Sequence, residues 1–331
     1  MKYVGLTIVV LFAALVLTLV VFRLPLIPAL GTLLEGSFGS VNAVSRTLVK
    51  TCPLLLCGLG ITFAWRAGMY NIGGEGQFVL GGVLAATLFR FAPGISNVTL
   101  LLLCSVVGGA LWAALAGWMY IRRGVQLVIS TILLNFVALQ LLSYGVTGPL
   151  RAPGDGQFLT EHLPREMMLP RFSPRMDLHL GVVLAVLLSL ACGVLLSRTK
   201  PGFLIRVAGQ NPRLLTTHRI SAERVQLLAL ALSGALCGLA GGVEYTAMSG
   251  QIGDSFSQNW GFLAIPVALL GRLNPWGVVA SALYFGALFA GSTALERTYP
   301  ANSAIIFVIQ AVAVLALLAL QHSRKPEVAP A

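Results

Sequence analysis

Long, uninterrupted apolar segments recur along the chain and leave few folds open to it. Each of seven segments is long enough to cross a bilayer as a helix: Val4–Phe22, Thr99–Ile121, Val125–Val146, Leu178–Leu196, Leu227–Met248, Trp276–Leu295 and Ala304–Leu320. Charged residues make up 10% of the sequence, whereas soluble domains carry roughly 25%. The fold class predicted is therefore all-α, a polytopic integral membrane protein that forms a single transmembrane domain over residues 1–331. Adding the shorter apolar segments gives about ten transmembrane or broken helices, with the N and C termini both in the cytoplasm.

Two long loops of opposite charge character set the predicted orientation. In loop 149–177 four arginines are balanced by four acidic residues, whereas loop 198–224 carries six basic residues against Glu223 alone. Because an excess of Lys and Arg marks cytoplasmic loops, loop 198–224 is predicted inside and loop 149–177 outside. The net charge of +11 follows from this topology, so membrane lipids are the expected partner of the basic residues and nucleic acid is not.

One stretch inside the apolar sequence, residues 65–77, is rich in polar and glycine residues. It reads WRAGMYNIGGEGQ and includes Arg66, Asn71, Glu75 and Gln77. In a bilayer such groups persist only where they are buried in protein or line a wet cavity. The stretch is therefore either the interior of a solute pathway or a polar turn at the membrane surface, and composition does not separate these two interpretations.

Two apolar segments, 49–64 and 260–270, are short and are interrupted by proline or glycine. One lies in each half of the chain. Paired broken helices indicate a central site between structural repeats. The sequence therefore predicts two broken helices, although no strong internal repeat accompanies them.

Several kinds of chemistry are missing from the sequence. There is no Gly-Lys pair and hence no phosphate-binding loop for ATP. The four histidines are scattered and the five cysteines form no CxxC pair, so no metal site is expected. No hydrolase motif is present. We therefore expect a chain that is not an enzyme and binds no cofactor of its own.

The basic loop 198–224 contains a short helical pattern. Asn211 is a candidate N-cap with Pro212 at the first helical position, which predicts a helix over Pro212–Ile220. Its basic residues would face lipid phosphates or an acidic partner. Such a helix is either a docking element or part of a solvated basic loop.

Several motifs, in order, resemble one family. Residues 68–77 (GMYNIGGEGQ), 129–135 (ISTILLN), 202–212 (GFLIRVAGQNP), 233–242 (SGALCGLAGG) and 265–271 (IPVALLG) are similar to the permease subunits of ABC importers for nucleosides and simple sugars. These importers form a branch of the branched-chain amino acid/ribose-type permease superfamily. The similarity covers about 230 residues, although Leu127 replaces the usual acidic residue, Pro266 interrupts the last motif and residues 214–219 differ from the family pattern.

The resemblance implies a membrane channel subunit without catalysis of its own. ATP would be hydrolysed by a partner ATPase with two nucleotide-binding halves, which would dock on loop 198–224. The coupling residues carried over are Gly202, Arg206, Gly209, Asn211 and Pro212. The other partners implied are a second homologous permease subunit and an extracytoplasmic substrate-binding (lipo)protein, in a bacterial inner or plasma membrane.

Amide and carboxylate side chains are candidates for the solute pathway because they can hydrogen-bond hydroxyls and ring nitrogens. The candidates are Asn71, Glu75 and Gln77, with Gln126 and Asn135 as secondary ones. Glu75 is alternatively a structural tie that accepts hydrogen bonds from backbone groups or Arg66. An alternative function is a proton-coupled secondary transporter of a small polar solute, with Glu75 as its titrating group. A membrane assembly subunit is a further alternative.

Overall fold

The computed structural model describes residues 2–154 and 156–299, and beyond them only residues 308, 311, 312 and 315. Its helices are α1 (Lys2–Val21), α2 (Leu26–Phe38), α3 (Val41–Arg66), α4 (Gly74–Phe91), α5 (Val98–Arg123), α6 (Leu127–Thr147), α7 (Leu180–Arg198), α8 (Lys200–Gln210), α9 (Pro212–Thr217), α10 (Ala222–Val243), α11 (Trp260–Leu270) and α12 (Pro275–Thr298). Helix α10 continues without interruption as a π-helix over Glu244–Ser249. Over this part of the chain the β-structure consists of three isolated bridges. The all-α prediction is confirmed there.

Six of these helices are long and apolar enough to cross a membrane. They are α3, α5, α6, α7, α12 and the helix formed by α10 with its π-turn. The chain is thus a multi-pass membrane protein, while the count of about ten crossings and the cytoplasmic termini stay predictions. The predicted last span, Ala304–Leu320, and the C-terminus lie outside the described residues.

Residues 23–42, whose prolines and glycines suggest a loop or an interfacial segment, contain the 13-residue helix α2 over Leu26–Phe38 and are not a plain loop. Its prolines lie at Pro25 and Pro28, before the helix and in its first turn, where a missing N–H leaves no helical hydrogen bond unmade.

Segment 49–64 was expected to be short and broken, yet it belongs to the 26-residue helix α3. Pro53 removes one backbone donor inside α3, but the surrounding residues Cys52, Leu54, Leu55 and Leu56 are at most 2% exposed. Packing on all sides outweighs the local cost of the proline. Of the two segments only the second, α11, is short, so the prediction of paired broken helices is wrong.

The described residues form two compact units, one from residues up to 50 together with those from 284 onward, and one from residues between 51 and 283. In the described part of the first unit, α2 packs on the second half of α12. A Cβ at Gly36 would lie 2.5 Å from Ala294 Cβ, and the Ser37 hydroxyl donates to the Ala287 carbonyl at 2.6 Å. Small residues therefore allow these two helices to approach closely.

The second unit is built around α4, which is buried along most of its length. Helices α5 and α10 pack beside it and contact each other through glycine. A Cβ at Gly109 would lie 2.1 Å from the Gly234 carbonyl oxygen, and one at Gly238 would lie 2.2 Å from that of Ser105. Gly234, Gly238 and Gly242, spaced four residues apart in α10, thus allow close backbone packing.

The long loops also differ from a simple loop description. Loop 149–177 runs along the end of the π-helix, where the Leu163 and Leu169 amides donate to the carbonyls of Gly250 and Thr246 at 2.8 and 2.9 Å. Loop 198–224 is largely helical, since α8 and α9 fill it. Helix α9 ends at Thr217 and not at Ile220, because Arg219 has φ 59°, which interrupts the helix.

Candidate functional site at a buried helix break

The polar stretch singled out in the sequence is a break between α3 and α4. Helix α3 ends at Arg66 and α4 begins at Gly74. The chain turns at Gly68, whose φ of +79° favours glycine. The turn is closed by the Met69 amide, which donates to the Ala64 carbonyl at 2.9 Å. Met69 and Asn71 are at most 1% exposed, whereas Tyr70 between them is 56% exposed, so the break is buried within the protein except at Tyr70.

Asn71 organises the break through both ends of its side-chain amide. Its Nδ2 donates to Gln77 Oε1 and to Ser233 Oγ, each at 3.0 Å. Its Oδ1 accepts from the Gly73 amide at 2.8 Å and from Gln77 Nε2 at 3.1 Å. Residues from the break, α4 and α10 are thereby joined by one amide.

Helix α6 holds the same break from another side. Asn135 Oδ1 accepts from the Gly76 amide at 2.8 Å, and its Nδ2 donates to the Ile72 carbonyl at 3.0 Å. The Thr131 hydroxyl accepts from the Ile72 amide at 3.3 Å. Since irregular backbone inside a membrane needs partners within the protein, α6 supplies the bonds that the break lacks.

Glu75 belongs to the first turn of α4, and its carboxylate contacts the start of α11. Its Oε2 accepts from the Gly261 amide at 2.8 Å, and its Oε1 accepts from the Ser257 hydroxyl. The first backbone N–H groups of a helix attract a carboxylate. Glu75 is 1% exposed, so in this conformation it ties α4 to the N-terminus of α11. The partner of Arg66 is instead the Leu273 carbonyl, at 2.7 Å from its Nε.

Helix α8 lies directly against the break. A Cβ at Gly209 would lie 2.2 Å from the Arg66 carbonyl oxygen and 2.9 Å from the Gly68 nitrogen. From the start of α10, Gln226 Nε2 donates to the Ala67 carbonyl at 3.3 Å. The backbone of α8 at Gly209 is therefore in direct contact with residues 66–68.

The remaining coupling candidates lie along α8 and at the start of α9. Gly202 packs against α7, where a Cβ would lie 2.0 Å from the Leu195 carbonyl oxygen. Arg206 is half-buried, whereas Asn211 and Pro212 are exposed. Asn211 has the N-cap position of α9 but makes no capping hydrogen bond, so that detail of the prediction was wrong. Its backbone already ends α8, because its amide donates to the Val207 carbonyl at 2.8 Å.

The structure brings four of the five pathway candidates together. Asn71, Glu75, Gln77 and Asn135 are each at most 1% exposed. Gln126 is separate from them, exposed at the start of α6 without a capping bond. The partners missed in the sequence are Ser233, Thr131, Ser257 and Trp65, whose Nε1 donates to the Asn71 carbonyl at 3.0 Å. Ser233 and Thr131 lie inside quoted motifs, but no sequence signal marks Ser257.

In this helical membrane protein, a buried polar break contacts the helix α8. Such an arrangement is expected of a transport subunit that is driven by a partner protein bound at the membrane surface. The chain belongs to the family described as branched-chain amino acid transport system, permease component, whose profile matches residues 43–317. It is therefore the permease component of an ABC transporter and not an enzyme, and ATP hydrolysis resides in a separate subunit.

Several relatives cover most of the chain. It is 31% identical over 324 residues to a glucose ABC transporter permease of Haloferax volcanii, covering 93% of this chain and 84% of that protein. It is 30% identical to a guanosine ABC transporter permease of Bacillus subtilis, covering 85% and 82%. A nucleoside ABC transporter permease of Lactococcus lactis is 27% identical, covering 83% and 80%. No solved structure matches the chain.

Proposed function

We propose that this chain is the membrane subunit of an ABC importer that carries a nucleoside or a simple sugar across a bacterial inner membrane. The support is the agreement between its family and the relatives above, whose substrates are glucose, guanosine and nucleosides. These solutes share a ring with several hydroxyl groups, so their recognition chemistry is alike.

The contact between Gly209 and the Arg66 carbonyl carries the mechanistic part of the proposal. A partner ATPase with two nucleotide-binding halves would dock on α8 and α9 from the cytoplasm. Its motion would reach residues 66–68 through Gly209. The network around Asn71 would then pass the motion on to α4, α6 and α10, because its hydrogen bonds join these helices.

The same geometry favours a solute passage that opens only when the break moves. In the present conformation the polar atoms of Asn71, Gln77 and Asn135 are bonded to protein. Contact with the solute would require these bonds to exchange for bonds to solute hydroxyls. We propose that a second homologous permease subunit and an external binding protein complete the importer.

Uptake of labelled solutes tests the function. Cells without their own uptake systems would express the chain with its ATPase, its second permease and its binding protein. Adenosine, guanosine, ribose, galactose and glucose would be offered one at a time. We expect uptake of one class, and its loss when the ATPase carries an inactivating substitution in its nucleotide site.

The alternative outcome is equally clear. Uptake that persists with the inactive ATPase and disappears with a protonophore would overturn the proposal and support proton-coupled transport. The matched control is the ATPase with a substitution of an exposed residue away from its nucleotide site. Full uptake with this variant would show that substitution as such does not disturb assembly.

A further inference from the structure

A cleft opens at one end of the second unit, where α5 ends and α10 begins. Its smaller part, about 370 Å³, is lined by Trp118, Ile121, Arg122, Ser221, Glu223, Arg224 and Leu227. A larger part of about 740 Å³ reaches α9. The two parts share Ile121, Ser221 and Glu223, so they form one continuous cleft.

The smaller part of the cleft is basic and its charges are unsatisfied. The guanidinium groups of Arg122 and Arg224 make no hydrogen bond or ion pair with any residue that the structure describes. Glu223 is the one carboxylate in the lining, which leaves a net positive charge. The backbone at the start of α10, capped by Ser221, adds the partial positive charge of a helix N-terminus. An anion is therefore favoured.

The cleft also has an apolar side that continues along the membrane-facing surface. Trp118, Ile121 and Leu227 line it. On α5, exposed apolar side chains precede Trp118 at helical spacing, and their exposed fractions lie between 39% and 64%: Leu115, Leu111, Val107 and Leu103. This track runs from the cleft along a helix that is apolar enough to span the membrane.

Trp118 and the arginines further place the cleft at the membrane boundary. Tryptophan is enriched where hydrocarbon meets the headgroups, and Trp118 is 48% exposed. Arg123 lies over the same ring, with its guanidinium carbon 5.9 Å from the ring centroid. Basic clefts between membrane helices at this level suit lipid headgroups.

From these features we infer that the cleft between α5 and α10 binds one anionic phospholipid. The phosphate lies between Arg122 and Arg224, and an acyl chain follows the apolar face of α5. A water-soluble anion would not contact the apolar track, so the charge and the track together favour a lipid. Because the larger part of the cleft is lined by Pro212 and Arg213 of α9, a bound lipid supports the position of this helix.

Native mass spectrometry of the purified full chain tests the inference. The detergent-solubilised protein would be titrated with phosphatidylglycerol and, separately, with phosphatidylcholine of the same acyl chains. We expect one phosphatidylglycerol to bind at least about tenfold more tightly than phosphatidylcholine. The double variant R122Q/R224Q should lose this preference, since each basic residue near an anionic lipid surface contributes roughly fivefold to the binding affinity.

Two further variants keep the test decisive. R165Q/R175Q removes the same charge from loop 149–177 and should bind phosphatidylglycerol like the parent chain. E223Q removes the opposing carboxylate and should bind it several-fold more tightly, so the inference can be tested even if R122Q/R224Q fails to fold. All variants would be checked for helix content and size before titration.

Three results would overturn the inference. The first is equal binding of phosphatidylglycerol by R122Q/R224Q and R165Q/R175Q. The second is displacement of the lipid by inorganic phosphate at a comparable concentration, which would assign the cleft to a soluble anion. The third is binding of a purified ATPase subunit to the lipid-free chain that is abolished in R122Q/R224Q, which would assign the cleft to that protein.

Discussion

At the scale of single residues, Asn71 shows how one amide stabilises an irregular segment of chain. Its donors and acceptors are matched to Gln77, Ser233 and the Gly73 amide. Amide groups suit this role because they donate and accept at once. An aliphatic side chain of the same size would leave several buried groups without a partner, and a carboxylate would leave Gln77 Oε1 without its donor.

We therefore expect Asn71→Ala to destabilise the protein by roughly 2–4 kcal/mol, because several buried polar groups lose their partner. The measurement is the apparent midpoint of thermal unfolding of the purified chain in detergent. Gln126→Ala is the control, since Gln126 is exposed and makes no capping bond. Equal midpoints for the two variants would show that the network contributes little to stability.

His179, just before α7, makes the stability of the protein depend on pH. It is 1% exposed. The backbone on either side of it is bonded to loop 149–177, since the Leu180 amide donates to the Pro170 carbonyl and the Phe172 amide donates to the Leu178 carbonyl. Burial and the neighbouring Arg171 lower the pKa of His179, and Asp177 raises it by less, so that the pKa falls from 6.5 to about 4. Arg171 and Asp177 also face each other, with nitrogen and oxygen 3.8 Å apart.

The sign of the pH effect follows from this lowered pKa. Between pH 6.5 and about 4 the unfolded chain binds a proton at His179 that the folded chain does not. Stability is therefore fully present above pH 6.5 and falls as the pH drops towards 4, by an amount on the order of 3 kcal/mol. Thermal unfolding over this range checks it. His179→Gln should flatten the profile. A parallel profile for His179→Gln would contradict the assignment.

At the scale of elements, the contact between α8 and the break depends on a residue without a side chain. Gly209 brings the end of α8 against the Arg66 carbonyl. The same kind of contact joins α5 and α10, where Gly109 and Gly234 face each other. In both places the backbone of one element touches the backbone of the next, and this makes the contact stiff.

Gly209→Ala is expected to reduce transport by about tenfold or more while leaving expression intact, because its Cβ forces α8 away from the break and misaligns the moving parts. Uptake and solute-stimulated ATP hydrolysis by the assembled transporter measure the effect. Gly156→Ala is the matched control, since no atom lies within 4 Å of the Cβ position there. Normal uptake by Gly209→Ala would exclude this contact as the route of coupling.

At the scale of the whole molecule, the basic and balanced loops predict which end faces the cytoplasm. Cysteines placed at Gln157 and His218, both exposed, report the two sides in a chain with Cys104→Ser. The other four cysteines are buried. We expect an impermeant maleimide to label Gln157→Cys in intact cells and His218→Cys only after the membrane is opened. The reverse pattern would invert the orientation and place α8 and α9 outside.

Much of the helical architecture was predictable because its causes are local. Apolar length identified α5, α6, α7 and α10. The helix α2 and the continuity of α3 were missed, since Pro28 and Pro53 act as breakers in isolation. In the folded chain Pro28 lies in a first turn and Pro53 lies among buried side chains.

The candidate site was predictable as a location but not as a set of partners. Residues 68–77 stood out because polar groups are costly in an apolar setting, and the resemblance to transport permeases pointed to the same stretch. The role of Glu75 was left open between pathway and tie. Its partners Ser257 and Gly261 lie more than 180 residues away in sequence, and nothing near Glu75 indicates them.

By itself the sequence determined an all-helical membrane protein, because hydropathy and loop charge depend on residues close together in the chain, and its ordered motifs gave the resemblance to a family of permeases. Only the tertiary structure decided that the Asn71 side chain bonds to Gln77 and that the Asn135 side chain bonds to the backbone of the break. It also decided that Glu75 accepts from the start of α11 and that Gly209 contacts the break. Such pairs depend on where distant helices meet, and that is a property of the packed molecule as a whole.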